Sequence, residues 1–219
     1  LRNRVRMEYQ TAIQHLRRSE YPQAIAMMDS LIEAEPDDAN HYRFRAELYR
    51  LANKLPAARR DYERVIDLQP DDSAGYIGLA EVYAQQRQYD KALDYARQAF
   101  DAAPHQWLTA YNLGMIEDRH GDADAAITHL EQALAAGLPH SRYRLLTRLW
   151  LARNYYRTGQ PDAARQQLDH MRQQAGGLDE WQVVLDSEQA AALRDLLAED
   201  VALAQQLLDG DVSLDDAFA

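Results

Sequence analysis

The chain has 219 residues, of which 47% are apolar and 27% charged, with 9 Gly, 7 Pro and no Cys. It is long enough to bury a core, and its composition excludes a disordered, collagen-like or disulfide-stabilised chain. Without cysteine it has no thiol nucleophile, thiolate zinc site or iron-sulfur cluster. No apolar run reaches the roughly 20 residues of a membrane span, and no segment reads as a signal peptide. Because the chain begins at Leu1 rather than Met, we expect a piece of a longer protein.

The formal net charge of -11 is concentrated at the C-terminal end. Residues 178–219 hold 11 acidic residues and one basic residue, Arg194, whereas residues 1–177 are nearly neutral. A composition boundary therefore falls near Gly176 and Gly177. The N-terminal end is mildly basic, but no aromatic residues alternate with its arginines, so we interpret it as a solvated helix face. We predict no binding to nucleic acid.

A period of 34 residues organises the rest of the chain. Pro36, Pro70 and Pro104 follow one another at this spacing. Small residues recur at the same interval in two further columns, namely Ala12, Ala46, Ala80 and Gly114, and Ala24, Ala58, Ala92 and Ala126. Such a period is typical of an array of stacked structural repeats.

Each repeat carries the hydrophobic spacing of two helices. In the second, Tyr42, Ala46 and Tyr49 advance by four and then three residues, which places them on one helical face, and the next segment has the same spacing. Pro70 lacks an amide hydrogen and should end that second helix. The acid pairs Asp37-Asp38 and Asp71-Asp72 sit where the chain turns, so we predict that they cap the helices that follow.

These residues resemble the tetratricopeptide repeat (TPR) family, whose unit of 34 residues is a helix-turn-helix with small residues, a Tyr and a Pro at set positions. The resemblance implies an all-α fold, a right-handed α-solenoid of about five TPR helix-turn-helix units plus C-terminal capping helices. The implied repeats are residues 5–38, 39–72, 73–106, 107–140 and 145–178. They form a TPR domain over residues 1–178, followed by an acidic helical cap and tail over residues 179–219. The fourth repeat departs from the pattern because Glu117 replaces the Tyr, and the fifth lacks the Pro.

Catalytic and metal-binding motifs are missing from the sequence. It has no HExxH, GxxxxGK[ST], GxGxxG or GxSxG motif, and its seven His include no pair spaced i, i+4 on one helix. Trp107, Trp150 and Trp181 could stack a ligand, but an aromatic residue at helical spacing, such as Trp150, more often packs in a core. We therefore predict no enzyme activity, no catalytic residue, no cofactor and no metal.

The resemblance also implies a binding surface, because the first helices of TPR units line a concave groove that holds a peptide or a partner helix. The positions that point into that groove give the predicted partner-binding residues Arg43, Glu47, Arg50, Ile77, Glu81, Tyr111, Met115, Asp118, Arg153 and Tyr156. We expect Arg43, Arg50, Tyr111 and Arg153 to face solvent in the unbound molecule. The subfamily that clamps a C-terminal carboxylate with Lys, Asn and Arg is not matched, so chaperone docking is not expected.

The predicted function is a protein-protein interaction module, a scaffold or adaptor without catalysis of its own. The alternative is a regulatory or assembly TPR domain of a larger enzyme or of a membrane or secretion complex. We expect a protein or peptide partner, no direct membrane insertion and a cytoplasmic location, with self-association left open.

Two locations are open for the acidic end. Its apolar stripe, Leu193, Leu196, Leu197, Val201, Ala204 and Leu208, must be buried. The first interpretation, which we favour, places residues 179–209 on the exposed end of the fifth repeat as a solenoid cap. The second places the segment in a groove, its own or a neighbour's, where the acids Asp209, Asp211, Asp215 and Asp216 meet Arg43, Arg50 or Arg153.

Overall fold

The computed structural model describes residues 2–174, 176–187 and 191–219, and this part of the chain consists of helices and connecting loops without a strand. Its helices are α1 (Arg2–Arg17), α2 (Tyr21–Ala34), α3 (Ala39–Leu51), α4 (Leu55–Leu68), α5 (Ser73–Gln85), α6 (Tyr89–Ala102), α7 (Trp107–His120), α8 (Ala123–Ala136), α9 (Ser141–Arg157), α10 (Pro161–Arg172), α11 (Gly176–Asp186), α12 (Ala191–Asp209) and α13 (Leu214–Phe218). Within these residues, no helix combines the length and apolarity needed to cross a bilayer.

The first ten helices form five antiparallel pairs, one for each predicted repeat. Each helix contacts its partner in the pair most extensively, and the second helix of each of the first four pairs also contacts the first helix of the next pair. The predicted all-α helical repeat fold is confirmed. Neighbouring first helices, such as α3 and α5 or α7 and α9, also contact one another, which places the first helices on the inner side of the array.

The small-residue columns mark where the two helices of a pair meet. Ala46 and Ala58 of the second repeat are both fully buried in one cluster with Tyr62. In the fourth repeat, a Cβ added to Gly114 would lie 2.7 Å from Cγ of Leu130 on the facing helix. Only a small residue fits at such a contact, because close-packed interiors leave no space for an added methyl group. The 34-residue period of the sequence thus corresponds to a contact between the two helices of a pair that recurs in each repeat.

The loops between repeats use proline and aspartate as the sequence predicts. Helix α2 ends just before Glu35 and helix α4 just before Gln69. A proline follows each of these two residues directly. Asp38 and Asp72 then cap the next helices, and the side chain of each accepts a hydrogen bond from the backbone two residues on. These contacts satisfy amides that the helix itself leaves unpaired.

The fourth repeat compensates for its missing tyrosine with a polar pair. Glu117 is 1% exposed, and its Oε2 lies 2.7 Å from Nδ1 of His129 on the facing helix. The His129 ring meets the ring of Phe100 edge to face, with centroids 4.9 Å apart. A buried carboxylate is tolerated here because it is hydrogen-bonded to a group that can carry the opposite charge.

Candidate partner-binding groove

The inner side of the array divides into an open half and a covered half. The first helices α1, α3 and α5 border the open half, which we call the open groove. Helices α11, α12 and α13 of the acidic C-terminal segment pack on α9, and α12 is hydrogen-bonded to Arg119 of α7, so we call this half the covered groove. The two halves differ in their chemistry.

The open groove has a volume of about 900 Å³ and a largely apolar lining. Ile13 is the most exposed of its apolar side chains, at 40% of its surface. The other apolar side chains of the lining are Val5, Tyr9, Phe44, Tyr62, Ala74, Ile77 and Leu108. Its polar side chains are Asp38, Asn40, His41, Arg43, Glu47, Asp72, Ser73, Glu81 and Gln106. Four carboxylates against one exposed guanidinium make this lining acidic.

A cluster of charged groups lies at the inner end of the open groove. Arg50 donates to both oxygens of Glu47, at 2.6 and 2.9 Å, and the hydroxyl of Tyr62 donates to the same carboxylate at 2.9 Å. Glu81 lies 3.5 Å from Arg50 as an ion pair, and its side chain keeps 27% of its surface exposed. Glu47 therefore holds the close contacts of Arg50, and Glu81 is left with the longer one.

The pKa values of the Glu47 and Glu81 carboxylates are shifted in opposite directions. Burial opposes the ionisation of Glu47, but Arg50 and the Tyr62 hydroxyl outweigh it, so the pKa of Glu47 lies below its ordinary value. Burial dominates at Glu81, where the attraction of Arg50 is partly cancelled by Glu47, and the pKa of Glu81 is raised. Glu81 is thus an under-compensated carboxylate that borders the open groove, and a second cation would stabilise its charged form.

The covered groove begins with α11, which turns back onto α9. The indole nitrogen of Trp181 donates to the backbone oxygen of Arg142 at 2.7 Å. The approach is close enough that a Cβ on Gly177 would lie 2.7 Å from the backbone oxygen of Ser141. Trp181 is 2% exposed and meets the ring of Tyr143 edge to face, with centroids 6.1 Å apart. These contacts direct the acidic segment over the first helices.

Asp200 fixes α12 to the floor of the covered groove. Its carboxylate, 4% exposed, accepts hydrogen bonds from Arg119 at 2.7 Å, from Arg153 at 2.6 Å and from the indole nitrogen of Trp150 at 2.7 Å. Burial alone would raise the pKa of Asp200, but Arg153 and Arg119 more than offset it, so that this pKa lies below the ordinary value. Asp200 is therefore a charged, fully hydrogen-bonded contact between α12 and the repeats.

A second buried carboxylate supports Arg153 from the other side. Asp118 accepts from Arg153 at 2.6 Å and from the side-chain nitrogen of Asn154 at 2.8 Å. Burial outweighs the attraction of Arg153 here, and the nearby charge of Asp200 acts in the same direction, so the pKa of Asp118 is raised. One guanidinium thus joins two buried carboxylates from different helices.

Helix α13 completes the cover. The hydroxyl of Tyr156 donates to Oδ1 of Asp215 at 3.0 Å, and the guanidinium of Arg153 lies 5.9 Å from the ring centroid of Phe218. Ser213 and Asp216 form a capping box that starts the helix. These contacts are more exposed than those of Asp200.

The predicted partner-binding residues therefore separate into three groups. The open groove is lined by Arg43, Glu47, Ile77 and Glu81. A smaller cavity of about 230 Å³ beneath α12 is lined by Arg50, Tyr111 and Met115, with Glu81 at its border. The contacts to α12 and α13 involve Asp118, Arg153 and Tyr156.

The expectation that four of these residues face solvent is correct only for Arg43, which is exposed. Arg50 is 8% exposed and Tyr111 6%, while the Arg153 side chain is 13% exposed. The expectation is wrong because Glu47 holds Arg50 within the array and because α11 and α12 cover the other two.

The acidic end contacts both the inner side of the array and its fifth repeat. The first half of α12, with Leu193, Leu196 and Leu197, borders the same cavity as Tyr111, and α12 reaches as far as α3 and α5. Its last turns approach the fifth repeat, where Leu207 and Leu168 border one pocket. The segment thus crosses the inner side of the array and also packs on the fifth repeat, because α11, α12 and α13 all contact α9 and α12 contacts α10. The acid that meets Arg153 is Asp200, not one of those expected.

A signal for Asp200 was present in the sequence. It lies four residues after Leu196 and four before Ala204, within the apolar stripe of α12. A charged residue on a buried face needs a partner of opposite charge. The sequence does not reveal which arginine supplies it.

Solved structures of similar shape have low sequence identity to the chain. A MamA structure from Desulfovibrio magneticus RS-1 is 16% identical, with a TM-score of 0.65 over 78% of this chain and 95% of that one. TTC0263, a thermophilic TPR protein of Thermus thermophilus, is 22% identical, with a TM-score of 0.63 over 86% and 98% of the two chains. At these identities the likeness shows the fold alone.

The comparison with curated proteins gives no match. Two sequence models, both described as tetratricopeptide repeat, match residues 9–73, 52–106 and 119–184. These matches cover well over half of the chain and include three of the five helix pairs in full. The chain belongs to the tetratricopeptide repeat family.

Proposed function

We propose that this chain is a protein-protein interaction module that binds an extended or helical segment of a partner in the open groove. TPR folds serve in general as interaction modules, and that general role applies to this chain. The choice of the open groove as the binding site depends on one observation. The inner side of the array is covered over α7 and α9 but leaves an apolar channel of about 900 Å³ over α1, α3 and α5.

The apolar lining supports a partner that buries hydrophobic side chains. Ile13 exposes 40% of its surface beside the half-buried Tyr9 and Phe44, whose rings stack with centroids 5.6 Å apart. Neighbouring exposed apolar groups in a concave site are typical of surfaces that bind protein segments. An aliphatic or aromatic anchor of the partner would remove this surface from water.

The charges of the open groove favour a cationic group on the partner. Glu81 has a raised pKa and a 3.5 Å ion pair with Arg50 as its close charged contact among the described residues. Asp38 and Asp72 add negative charge at the rim. A lysine or arginine near the partner's apolar anchors would pair with Glu81 and steer the association. We therefore propose a partner segment with apolar anchors and at least one basic residue.

Residues 179–219 have a separate role in this proposal. They form an acidic C-terminal segment that closes the other half of the inner side, and residues 1–178 form the TPR domain. Of the predicted partner-binding residues, Arg43, Glu47, Ile77 and Glu81 keep that role. Arg50 positions the two glutamates, while Asp118, Arg153 and Tyr156 hold the chain's own C-terminal segment. We propose binding without catalysis for the whole chain.

A peptide selection tests this function. The immobilised full chain is screened against a random peptide library, and enriched peptides are measured by fluorescence anisotropy. We expect enriched sequences to combine apolar residues with Lys or Arg, and we expect Ile13→Asp and Glu81→Gln each to weaken binding by about tenfold or more. Glu63→Gln, an exposed change on the second helix of its repeat, is the matched control. Peptides that bind the Ile13→Asp chain as tightly as the unchanged one would exclude the open groove.

A further inference from the structure

The loop between α2 and α3 brings one imidazole and two carboxylates together. Glu35 follows the end of α2, Asp38 caps α3, and His41 lies in the first turn of α3. Oε2 of Glu35 lies 3.2 Å from Nε2 of His41, and Oδ2 of Asp38 lies 3.7 Å from the same nitrogen. Ligand atoms of the three residues fall within 4.8 Å of one another. A single ion can therefore contact all three.

The three side chains are held in place by other contacts. The His41 ring is fully buried, and its Nδ1 lies 2.7 Å from the hydroxyl oxygen of Tyr9. Asp38 uses Oδ1 to accept the backbone N–H of Asn40 at 2.9 Å, which leaves Oδ2 directed at His41. Such outer contacts orient metal ligands and raise their affinity. Glu35 is 30% exposed and Asp38 38%, so an ion from solvent reaches these carboxylates first and gains the buried ring nitrogen when they move apart.

The next loop of the array lacks this combination. The residues 34 positions further on are Gln69, Asp72 and Gly75. Asp72 caps its helix as Asp38 does, but it has neither an imidazole nor a second carboxylate at the matching positions. The capping role alone therefore does not account for Glu35 and His41.

Another histidine with two carboxylates shows a different geometry. Nε2 of His120 lies 2.9 Å from Asp90, and its Nδ1 lies 3.0 Å from Asp122. The two carboxylates approach opposite edges of the ring and cannot share an ion with one ring nitrogen. At His41 both carboxylates converge on Nε2, while Nδ1 is occupied by Tyr9.

We propose that Glu35, Asp38 and His41 bind a divalent transition-metal ion, Zn²⁺ in preference to Mg²⁺ or Ca²⁺. Imidazole nitrogen together with carboxylate oxygen is a donor set that suits Zn²⁺, whereas Mg²⁺ and Ca²⁺ favour oxygen alone. Without metal, the Nε2–H of His41 donates to Glu35. With metal, the ring takes the Nδ1–H tautomer and donates to the Tyr9 oxygen, so that the Nε2 lone pair faces the ion.

The bound ion would join the end of the first repeat to the start of the second. Three protein ligands leave a coordination position for water or another group. Asp38 and His41 also line the open groove, so the site lies at its rim. Metal binding does not depend on the proposed partner, and the two can be tested separately.

Isothermal titration calorimetry of the full chain with ZnCl₂ at pH 7 tests the site. We expect one equivalent of Zn²⁺ to bind with a micromolar dissociation constant and to raise the melting midpoint, since a ligand that binds only the folded state stabilises it. Glu35→Gln and Asp38→Asn should each weaken binding by about tenfold or more, as expected when a ligand is lost. Asp38→Asn retains a helix cap, because Asn caps as well as Asp.

The control is Asp72→Asn, the same change at the equivalent cap of the next repeat, which should leave the Zn²⁺ affinity unchanged. The proposal is overturned if the unchanged chain gives no heat of binding with ZnCl₂, or if Glu35→Gln/Asp38→Asn binds Zn²⁺ as tightly as the unchanged chain. If the metal-free double variant melts at a lower temperature than the unchanged chain, the Zn²⁺ affinity of the single Asp38→Asn variant is compared with that of the unchanged chain instead. If the proposal is overturned, Glu35, Asp38 and His41 serve only to connect α2 and α3 through hydrogen bonds.

Discussion

The carboxylate of Asp200 and the indole nitrogen of Trp150, 50 residues apart in the chain, are joined by a hydrogen bond of 2.7 Å in the buried interior. Trp150 has no exposed surface, so this indole packs within the protein rather than stacking an external ligand. Arg119 and Arg153 donate to the same carboxylate. The contact between α12 and the repeats thus combines an aromatic surface with a paired charge.

Removal of this carboxylate should destabilise the chain strongly. Asp200→Ala leaves Arg119 without its carboxylate partner and Arg153 with Asp118 alone, in a buried site, and we expect a loss of about 3 to 5 kcal/mol in the free energy of unfolding. Urea denaturation followed by circular dichroism measures it. Asp195→Ala, on an exposed position of the same helix, should change stability by no more than about 0.5 kcal/mol. Equal denaturation midpoints for the two variants would show that α12 is not held by Asp200.

The same contact gives stability a defined dependence on pH. Because the pKa of Asp200 is lower in the folded chain than in the unfolded chain, its stabilisation is complete above the ordinary carboxylate pKa. It is lost as the pH falls through the lowered folded value. The difference in unfolding free energy between the unchanged chain and Asp200→Asn should therefore be largest at neutral pH and shrink in acid. A difference that grows in acid would mean that folding raises the pKa of Asp200 instead of lowering it.

Glu81 should show the opposite behaviour, because its pKa is raised in the folded chain. Its ionisation opposes folding above that raised value, so Glu81→Gln should keep or increase stability at neutral pH, and the gain should disappear in acid. The same variant should bind a basic peptide more weakly. Melting curves across pH and anisotropy with a peptide from the selection measure the two effects. A variant that loses stability and affinity together would make Glu81 a structural residue instead.

The close contact between Gly78 and Tyr62 predicts a packing defect. A Cβ at residue 78 would overlap the Tyr62 ring, whose hydroxyl also donates to Glu47. Gly78→Ala should therefore displace the ring and cost about 1 to 3 kcal/mol. Gly176→Ala is the control, because a Cβ there meets nothing within 4 Å and its φ is not positive. If both variants unfold at the same denaturant concentration, the helices are further apart than described.

The sequence predicts the repeats well because each repeat makes the same contacts. The spacing of Ala46 and Ala80 is the spacing of helix pairs, and both residues are fully buried. The path of the acidic segment does not repeat. Asp200 is one of 11 acidic residues in its segment, and its partners lie 47, 50 and 81 residues away. Only the folded arrangement of the first helices determines that Asp200, and not another of these acids, pairs with the arginines.

The groove residues were predictable in position but not in exposure. The family resemblance places Tyr111 on the inner side, and the structure agrees with that placement. Whether Tyr111 is free depends on α11 and α12, which have no counterpart within the period of 34. The Glu35, Asp38 and His41 cluster contains a single histidine, so a motif built on paired histidines does not indicate it. Its signal is the spacing of i, i+3 and i+6 across a Pro-containing turn.

Truncation distinguishes the parts of the C-terminal segment. Deleting residues 178–219 removes the cover from Tyr111, Tyr143 and Trp150, which form one aromatic cluster with ring centroids 5.3 Å apart. We expect lower stability and aggregation, because a large apolar patch becomes exposed. Deleting only residues 211–219 removes the exposed contact of Tyr156 with Asp215 and the half-buried Phe218, and should cost no more than about 1 kcal/mol. Size-exclusion chromatography and urea denaturation measure both. A long deletion that stays monodisperse and equally stable, and binds the selected peptides more tightly, would mean that the segment competes for a binding surface and contributes nothing to the core.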